Sequence, residues 1–334
     1  MNIIAIDVGF SDVKARCTDR RLSFPAVEGR AMTAGPNYSM SANGRKVRME
    51  NEQYFTPIGE TALAFQRQAT GRRDGSWVLS DTWTRLLCGA LGALLDGDCT
   101  VRLVTGLPVN DWATYHGPLS QHLCGRSLKF ELWGKAPQTI TIEAVKIPAQ
   151  PFGALFSAMF DAYGHALNNE YTTGMGAVVD VGGHTTNIQT VDRLATVDDM
   201  SGSRPFGLLH ALDAVAQDIN QEFPRLEFTA HDVAMALEAG KFHIAGREIG
   251  IGRFADRHLA EFCSAIVHYV NDTLARAGRL QWVVLSGGGI HAVGDQLLNM
   301  LKPDFNVRLA REPRWANVEG YLAIGRRATR LSLW

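Results

Sequence analysis

The sequence predicts an α/β fold with mixed β-sheets, and three observations lead to this prediction. Apolar segments of strand length recur, and longer segments with helical spacing of apolar residues lie between several of them. This alternation is typical of α/β proteins with largely buried sheets. Residues 176–182 and 186–191 also form a hairpin-like pair across Gly182, Gly183 and His184, which adds antiparallel pairing. The 334 residues suffice for two domains.

The predicted elements follow from apolar periodicity. The predicted strands are 3–8, 101–105, 139–147, 176–182, 186–191 and 282–286. The predicted helices are 81–95, 151–167, 205–222, 231–239, 253–277 and 290–301. The polar segment at about 30–60, which contains Gly35-Pro36-Asn37, predicts a small excursion of loop and hairpin from the first domain.

Composition excludes several classes of protein. The formal net charge is -1, with 33 basic and 34 acidic residues, so we expect no direct nucleic-acid binding. No apolar run reaches the roughly 20 residues of a membrane helix. The five cysteines include no C-x-x-C pair, which argues against a disulfide scaffold or a zinc site. Because the N-terminus also lacks the pattern of a signal peptide, we expect a cytoplasmic protein.

The first candidate site follows the first predicted strand, in the segment Asp7-Val8-Gly9 that leads to Lys14. A glycine turn lets backbone N–H groups converge on an anion. Lys14 can reach a phosphate as a point charge, and Asp7 can hold the water shell of Mg²⁺. The same segment also predicts an ordinary hairpin.

A second Asp-x-Gly turn occurs at Asp180-Val181-Gly182, again at the end of an apolar strand. Gly183, His184 and Thr185 follow it. Two such turns could close on a polyphosphate from both sides, whereas the alternative is a second ordinary hairpin.

The third candidate segment is Ser286-Gly287-Gly288-Gly289, which joins a predicted strand to a predicted helix. Glycines remove side chains, so a flat base or ribose can lie against the backbone. The following helix N-terminus favours anions. The segment is not the Rossmann G-x-G-x-x-G pattern, and the chain has no G-x-x-x-x-G-K-[ST] phosphate loop.

Taken in order, the three segments resemble the phosphate loop 1, phosphate loop 2 and adenosine loop of the actin, Hsp70 and sugar-kinase superfamily. The resemblance implies an actin-like (ribonuclease H-like) fold. In that fold, two related domains with mixed β-sheets flanked by helices enclose a nucleotide cleft. We expect domain I at residues 1–149 plus 318–334 and domain II at residues 150–317.

Within the superfamily, the chain looks most like the bacterial and archaeal actin-like proteins of the ParM/StbA type. The segment Val104 to Val109, VTGLPV, is similar to a strand end of that group. Pro148 to Ala154 resembles the connecting segment whose Gln or Glu orients the attacking water, which implies that role for Gln150. Pro313 to Tyr321 resembles the second connecting helix.

The resemblance implies hydrolysis of a nucleoside triphosphate at its γ-phosphate. The expected catalytic residues are Asp7, Gln150 and Asp180, and the two aspartates would hold Mg²⁺ through water. The expected nucleotide-binding residues are Gly9, Phe10, Ser11, Asp12, Lys14, Gly182, Gly183, His184, Thr185, Glu238, Lys241, Gly287, Gly288 and Gly289. For Glu238 and Lys241, a solvated helix end is the alternative.

Two positions depart from the family pattern. Asn187 stands where an aspartate often follows the threonines, and His184 lies at the loop tip, where small or varied residues occur. We expect Asn187 to alter hydrogen bonding, with slower hydrolysis or a relaxed choice between ATP and GTP as consequences.

The function implied by the resemblance is a filament-forming, cytomotive ATPase of the plasmid-segregation type. Its partners would be further copies of itself and a DNA-binding adaptor protein. The alternatives within the superfamily are a small-molecule kinase and a non-polymerising regulatory ATPase or chaperone-like module.

Overall fold

The computed structural model describes residues 2–31, 44–65, 75–167, 169–275 and 278–334. The chain divides into two compact units. Unit 1 comprises Met1–Asn169 and Trp315–Trp334, and unit 2 comprises Glu170–Arg314.

The elements are numbered along the chain. The strands are β1 (Asn2–Val8), β2 (Asp12–Arg16), β3 (Arg21–Pro25), β4 (Lys46–Met49), β5 (Thr56–Pro57), β6 (Cys99–Val104), β7 (Ser127–Leu132), β8 (Gln138–Lys146), β9 (Met175–Val181), β10 (Thr186–Asp192), β11 (Ala195–Thr196), β12 (Gly202–Arg204), β13 (Lys241–Ile244), β14 (Arg247–Gly250), β15 (Leu280–Ser286) and β16 (Val307–Leu309). The helices are α1 (Glu60–Phe65), α2 (Asp81–Leu94), α3 (Val109–Leu123), α4 (Gln150–Met159), α5 (Glu170–Thr173), α6 (Leu208–Glu222), α7 (Ala230–Ala239), α8 (Gly252–Leu274), α9 (Ile290–Leu301) and α10 (Ala316–Arg330). Short 3-10 helices span Gly75–Leu79 and Asp198–Met200.

Unit 1 contains one mixed sheet in the order β3-β2-β1-β6-β8-β7-β4-β5. Strand β1 lies in its middle, antiparallel to β2 and parallel to β6. Ile4 and Ile6 pack in the same core as Leu87 of α2, whereas Ala5 packs with Tyr321 of α10. Both faces of β1 are therefore covered, which explains its uninterrupted apolar run.

Unit 2 contains a mixed sheet in the order β11-β10-β9-β15-β16, with β12 also paired to β10. Strand β9 is antiparallel to β10 and parallel to β15. Val179 of β9 packs in one core with residues of α8 and α9. A second core joins α6, α7 and the start of α8 to the hairpin β13–β14.

The predicted strands and helices are found near their expected positions, with one clear correction. The helix predicted at 151–167 ends at Met159, because Phe160 is extended and forms a bridge with Ala166. Asp161 Oδ1 accepts hydrogen bonds from two backbone N–H groups of the following loop, which satisfies that turn without a helix.

The predicted excursion at about 30–60 falls partly on residues 32–43, which lie outside the described residues. Its described part extends the sheet of unit 1, since β4 pairs with β7 and β5 pairs with β4.

The structure divides the chain at 169/170 and 314/315, whereas we expected boundaries at 149/150 and 317/318. The reason is that α4 packs against α10 within unit 1. A Cβ on Gly320 would lie 1.7 Å from the Gly153 carbonyl oxygen, so the two helices approach to backbone contact there. Asn317 Oδ1 also accepts a hydrogen bond from the Ala154 N–H at 3.2 Å.

Candidate functional site

The first Asp-x-Gly segment forms the hairpin of β1 and β2. Asp7 lies near the end of β1 and is only 4% exposed. The Gly9 N–H donates to the Asp12 carbonyl oxygen at 3.0 Å and closes the turn. In the register of the hairpin, Asp7 lies directly opposite Lys14. Directly opposite residues carry their side chains on one face, so the predicted carboxylate and ammonium are neighbours.

Two contacts hold this first turn. The ring of Phe10, within the turn, stacks on Trp77 with centroids 5.5 Å apart. The Ser11 carbonyl oxygen accepts a hydrogen bond from the Ala26 N–H at 2.7 Å. The turn is therefore fastened on both sides to the rest of unit 1.

Gln150 is brought to this hairpin from a distant part of the chain. It is the first residue of α4, and its backbone N–H donates to the Leu107 carbonyl oxygen at 2.8 Å. Its side-chain Nε2 donates to Asp7 Oδ1 at 3.1 Å, and both side chains are buried. Two of the three expected catalytic residues thus touch each other.

The second Asp-x-Gly segment forms the hairpin of β9 and β10. Asp180 is also 4% exposed. The Gly182 N–H donates to the Thr185 carbonyl oxygen at 2.8 Å, and Asp180 lies directly opposite Asn187. In both hairpins the aspartate therefore faces the residue seven positions later, and the glycine bonds the residue three positions after it.

The tip of the second hairpin lies against the N-terminus of α6. The carbonyl oxygens of Gly182 and Gly183 accept from the N–H groups of Leu208 and Leu209, at 3.0 and 2.8 Å. His184 is exposed at the tip, with its ring centroid 6.4 Å from that of His210.

The triple-glycine segment packs directly on the second hairpin. Gly287 has φ +100°, and a Cβ there would lie 2.3 Å from the Val181 carbonyl oxygen and 2.5 Å from Asp180 Oδ1. The Gly289 N–H donates to the same Val181 oxygen at 2.8 Å. No side chain fits at Gly287, because both its conformation and its surroundings require glycine. The structure thus brings together the second and third predicted segments.

Glu238 and Lys241 lie on other elements of unit 2. Glu238 is exposed on α7, and Lys241 on β13 pairs with Glu248 of β14 at 2.7 Å. The structure places both beside the hairpin β13–β14, so a role at the base of a nucleotide stays a prediction.

Sequence reasoning missed the residues on the strands next to each hairpin. Ser23 of β3 lies opposite Lys14, and Ser203 of β12 lies opposite Asn187. Spacing gives no signal for these serines, because the connections before β3 and β12 differ in length. The equal seven-residue interval from each aspartate to Lys14 and Asn187 was the available signal.

Each hairpin, taken by itself, carries a buried carboxylate beside a glycine turn. Asp7 and Asp180 are buried carboxylates, and Mg²⁺ is held in proteins by one or two carboxylates with several waters retained. In the described ranges, no group of three or more His, Cys, Asp or Glu side chains forms a direct metal cage.

No helix among the described residues is long and apolar enough to cross a membrane.

Two family models match the chain. Residues 5–153 match the family model described as the N-terminal domain of actin-like proteins. Residues 178–299 match that of the archaeal actin homologue MreB-like C-terminal domain. Among curated protein sequences, none matches the chain.

Solved structures share the fold at low sequence identity. The archaeal actin homolog Ta0583 is 19% identical with a TM-score of 0.82, over 98% of this chain and 100% of that one. ParM from a 15-stranded filament of Clostridium botulinum is 20% identical with a TM-score of 0.80, over 98% and 99% of the two chains. Bacillus thuringiensis ParM with ATP is 14% identical with a TM-score of 0.74, over 99% of each chain. The two family models and the shared fold lead to one conclusion: the chain belongs to the actin-like proteins.

Proposed function

We propose that this protein is a filament-forming ATPase of the ParM type. It binds a nucleoside triphosphate with Mg²⁺, hydrolyses the γ-phosphate and couples hydrolysis to turnover of its own polymer. The observation that carries the proposal is the repeated hairpin, in which Asp7 and Asp180 occupy the same register position beside the same glycine turn.

Relatives of the same fold support this function. One ParM structure is a filament, one ParM was solved with ATP, and Ta0583 was solved in complex with ADP. A cytomotive role in DNA or plasmid segregation, through a DNA-binding adaptor protein, is the extension of this proposal that the ParM likeness favours.

Backbone hydrogen bonds refine the assignment of phosphate contacts. The N–H groups of Gly9 and Gly182 already bond carbonyl oxygens within their own turns. We therefore assign phosphate binding to the next residues of each turn, Phe10 to Ser11 and Gly183 to Thr185, together with the Lys14 ammonium. Loops of this kind bind anions through successive N–H groups.

Gln150 positions the attacking water in the proposed reaction. Its amide nitrogen donates to Asp7 Oδ1, so the same amide presents its carbonyl oxygen elsewhere as an acceptor for water. A neutral amide orients water without taking its proton, which suits phosphoryl transfer because positioning and charge neutralisation dominate that reaction. Asp7 and Asp180 are the carboxylates that would hold Mg²⁺ through water, and the metal would supply charge neutralisation at the phosphates.

Nucleotide-dependent sedimentation tests this function. Purified protein at tens of micromolar is mixed with Mg-ATP or Mg-GTP, followed by light scattering and high-speed pelleting. We expect pelleting with nucleotide, its loss in Asp180→Ala, and its retention in Asp295→Ala, which changes an exposed aspartate of α9. Absence of polymer under every nucleotide and salt condition would refute filament formation. Phosphate transfer that requires an added small molecule would instead identify a kinase.

A further inference from the structure

A row of polar side chains crosses four adjacent strands of unit 2. Ser286 of β15 lies opposite Asp180 of β9, Asp180 lies opposite Asn187 of β10, and Asn187 lies opposite Ser203 of β12. We call these four residues the polar row. Ser286, Asp180 and Asn187 are 0%, 4% and 1% exposed. Side chains buried this fully require hydrogen-bond partners, so the contacts within the row define its chemistry.

Asn187 links the row to the tip of the second hairpin. Its Oδ1 accepts from Ser203 Oγ at 2.5 Å, and its Nδ2 donates to Thr185 Oγ1 at 3.5 Å. A side-chain amide has an accepting end and a donating end. In this arrangement the accepting end of Asn187 faces Ser203 and its donating end faces Thr185.

The orientation of Asn187 has a consequence for Thr185. Because the Thr185 oxygen accepts from Asn187, its own hydroxyl hydrogen is directed to another acceptor. The backbone of Thr185 is already fixed, since its carbonyl oxygen accepts from the Gly182 N–H at 2.8 Å. Asn187 thus controls the direction in which the Thr185 hydroxyl donates its hydrogen bond.

We propose that Ser203 and Asn187 are positioning residues for Thr185, whose hydroxyl donates to the terminal phosphate of the bound nucleoside triphosphate. The proposal rests on the proposed nucleotide-binding function. Neither Ser203 nor Asn187 touches the nucleotide. Ser203 orients the Asn187 amide, and the amide orients the Thr185 hydroxyl.

This role explains why a neutral amide suits position 187. A carboxylate there could not donate to Thr185, because an ionised carboxylate only accepts hydrogen bonds. It would also lie across the strands from Asp180, where a second buried negative charge is unfavourable. Asn187 therefore keeps Asp180 as the single carboxylate of the polar row.

Ser201 provides a control for Ser203, and its Oγ also accepts from the Thr190 backbone N–H at 3.0 Å. Its Oγ accepts from Nε2 of Gln189, the next buried amide on the same face of β10, at 3.1 Å. The same Oγ donates to the Val197 carbonyl oxygen at 2.7 Å, and the second hydrogen bond of the Gln189 amide goes to the Thr190 carbonyl oxygen. Both serines thus bond a buried amide of β10, but only the partner of Ser203 contacts Thr185.

The experiment compares Ser203→Ala with Ser201→Ala. Mg-ATP affinity is measured by titration calorimetry, steady-state hydrolysis by phosphate release, and stability by thermal unfolding. We expect both variants to be destabilised, and only Ser203→Ala to weaken Mg-ATP binding, by roughly three- to tenfold, the value of one hydrogen bond. Equal nucleotide affinity and hydrolysis in the two variants would overturn the positioning role.

A double-variant cycle tests that Ser203 acts through Thr185. Thr185→Ser should retain binding, whereas Thr185→Val should lose it to a similar degree as Ser203→Ala. In the Thr185→Val background, Ser203→Ala should change affinity by less than about twofold, because the group it positions is gone. A full second loss would overturn the proposal. Wild-type protein that binds no Mg-nucleotide would overturn the proposed function and this inference together, whereas failure of the cycle alone would overturn only the inference.

Discussion

The hairpin β1–β2 of unit 1 and the hairpin β9–β10 of unit 2 share one backbone design but differ in charge. Asp7 faces Lys14 and then Ser23 across three strands of the first, whereas Asp180 faces Asn187 and then Ser203 in the second. The repeated part is the register and the glycine turn. Only the central residue of each series changes, from a cation to a neutral amide. We therefore propose charge neutralisation as the role of Lys14 and hydroxyl positioning as the role of Asn187.

The two hairpins are also supported differently. In the first, Gln150 bonds Asp7 and Trp77 stacks on Phe10, beside a backbone bond from the Ala26 N–H to the Ser11 carbonyl oxygen. In the second, backbone N–H groups at the N-terminus of α6 bond the tip, and Gly287 packs against Asp180. The first hairpin should therefore respond to changes at Gln150 and Trp77, and the second to a change at Gly287.

Replacing either aspartate should produce the largest effect. We expect Asp7→Asn and Asp180→Asn each to lower kcat/KM for Mg-ATP hydrolysis on the order of 100-fold, because each would remove a negative charge that we propose to hold the hydrated metal. Phosphate-release assays measure this, with Asp295→Asn as the exposed control. If one of the two variants keeps full activity, the hairpins are not equivalent in function.

Glycine substitutions should show how much the backbone packing at each turn contributes to stability. We expect Gly287→Ala to cost about 3 kcal/mol or more, because its φ is +100° and a Cβ would lie 2.3 Å from the Val181 oxygen. Gly9→Ala and Gly182→Ala should cost about 1 kcal/mol each, since in both a Cβ would lie 3.0 Å from a carbonyl oxygen of the turn.

Denaturant unfolding monitored by circular dichroism measures these free energies. Gly250→Ala is the control in unit 2, because its Cβ would meet nothing within 4 Å. Clearly unequal losses in Gly9→Ala and Gly182→Ala would show that the two turns are not one design.

Gln150 tests the side-chain support of the first hairpin. We expect Gln150→Ala to lower kcat on the order of 10-fold or more while KM changes less than about twofold, because in our proposal Gln150 positions water and does not bind nucleotide. Gln138→Ala removes another buried glutamine of unit 1 and should affect stability alone. An increase in KM at constant kcat would assign Gln150 to substrate binding instead.

Two buried cysteines, one in each unit, allow the unfolding of the two units to be compared without any substitution. Burial raises the pKa of the Cys88 thiol in unit 1 to about 12 and that of Cys263 in unit 2 to about 11. Because the thiolate is the reactive form, neither should react with iodoacetamide at about pH 8 in the folded protein. Exposed Cys124 should react at once. Mass spectrometry then measures the labelling of each thiol at increasing urea concentration. Labelling of Cys88 reports the unfolding of unit 1, and labelling of Cys263 reports the unfolding of unit 2. Reaction of either thiol before unfolding would contradict its burial.

The positions of the aspartates and glycines in both turns could be predicted, because a turn is encoded by residues that are close together in the sequence. It predicted most strands and helices for the same reason. It did not predict the end of α4 at Met159, where a bridge to Ala166 outweighs helical periodicity. Nor did it predict Ser23 and Ser203, because cross-strand register depends on tertiary pairing. Family likeness implied a water-orienting role for Gln150, but neither that likeness nor the local spacing predicted its hydrogen bond to Asp7.

We propose that both hairpins contribute to nucleotide binding. The most direct test of this proposal is the stoichiometry of Mg-ATP binding, measured by calorimetric titration of the wild type, Lys14→Ala and Thr185→Ala under conditions that prevent polymerisation. The account predicts one nucleotide per chain in the wild type and weakened binding at that single site in both variants. Two nucleotides per chain, or one variant that binds as tightly as the wild type, would contradict it.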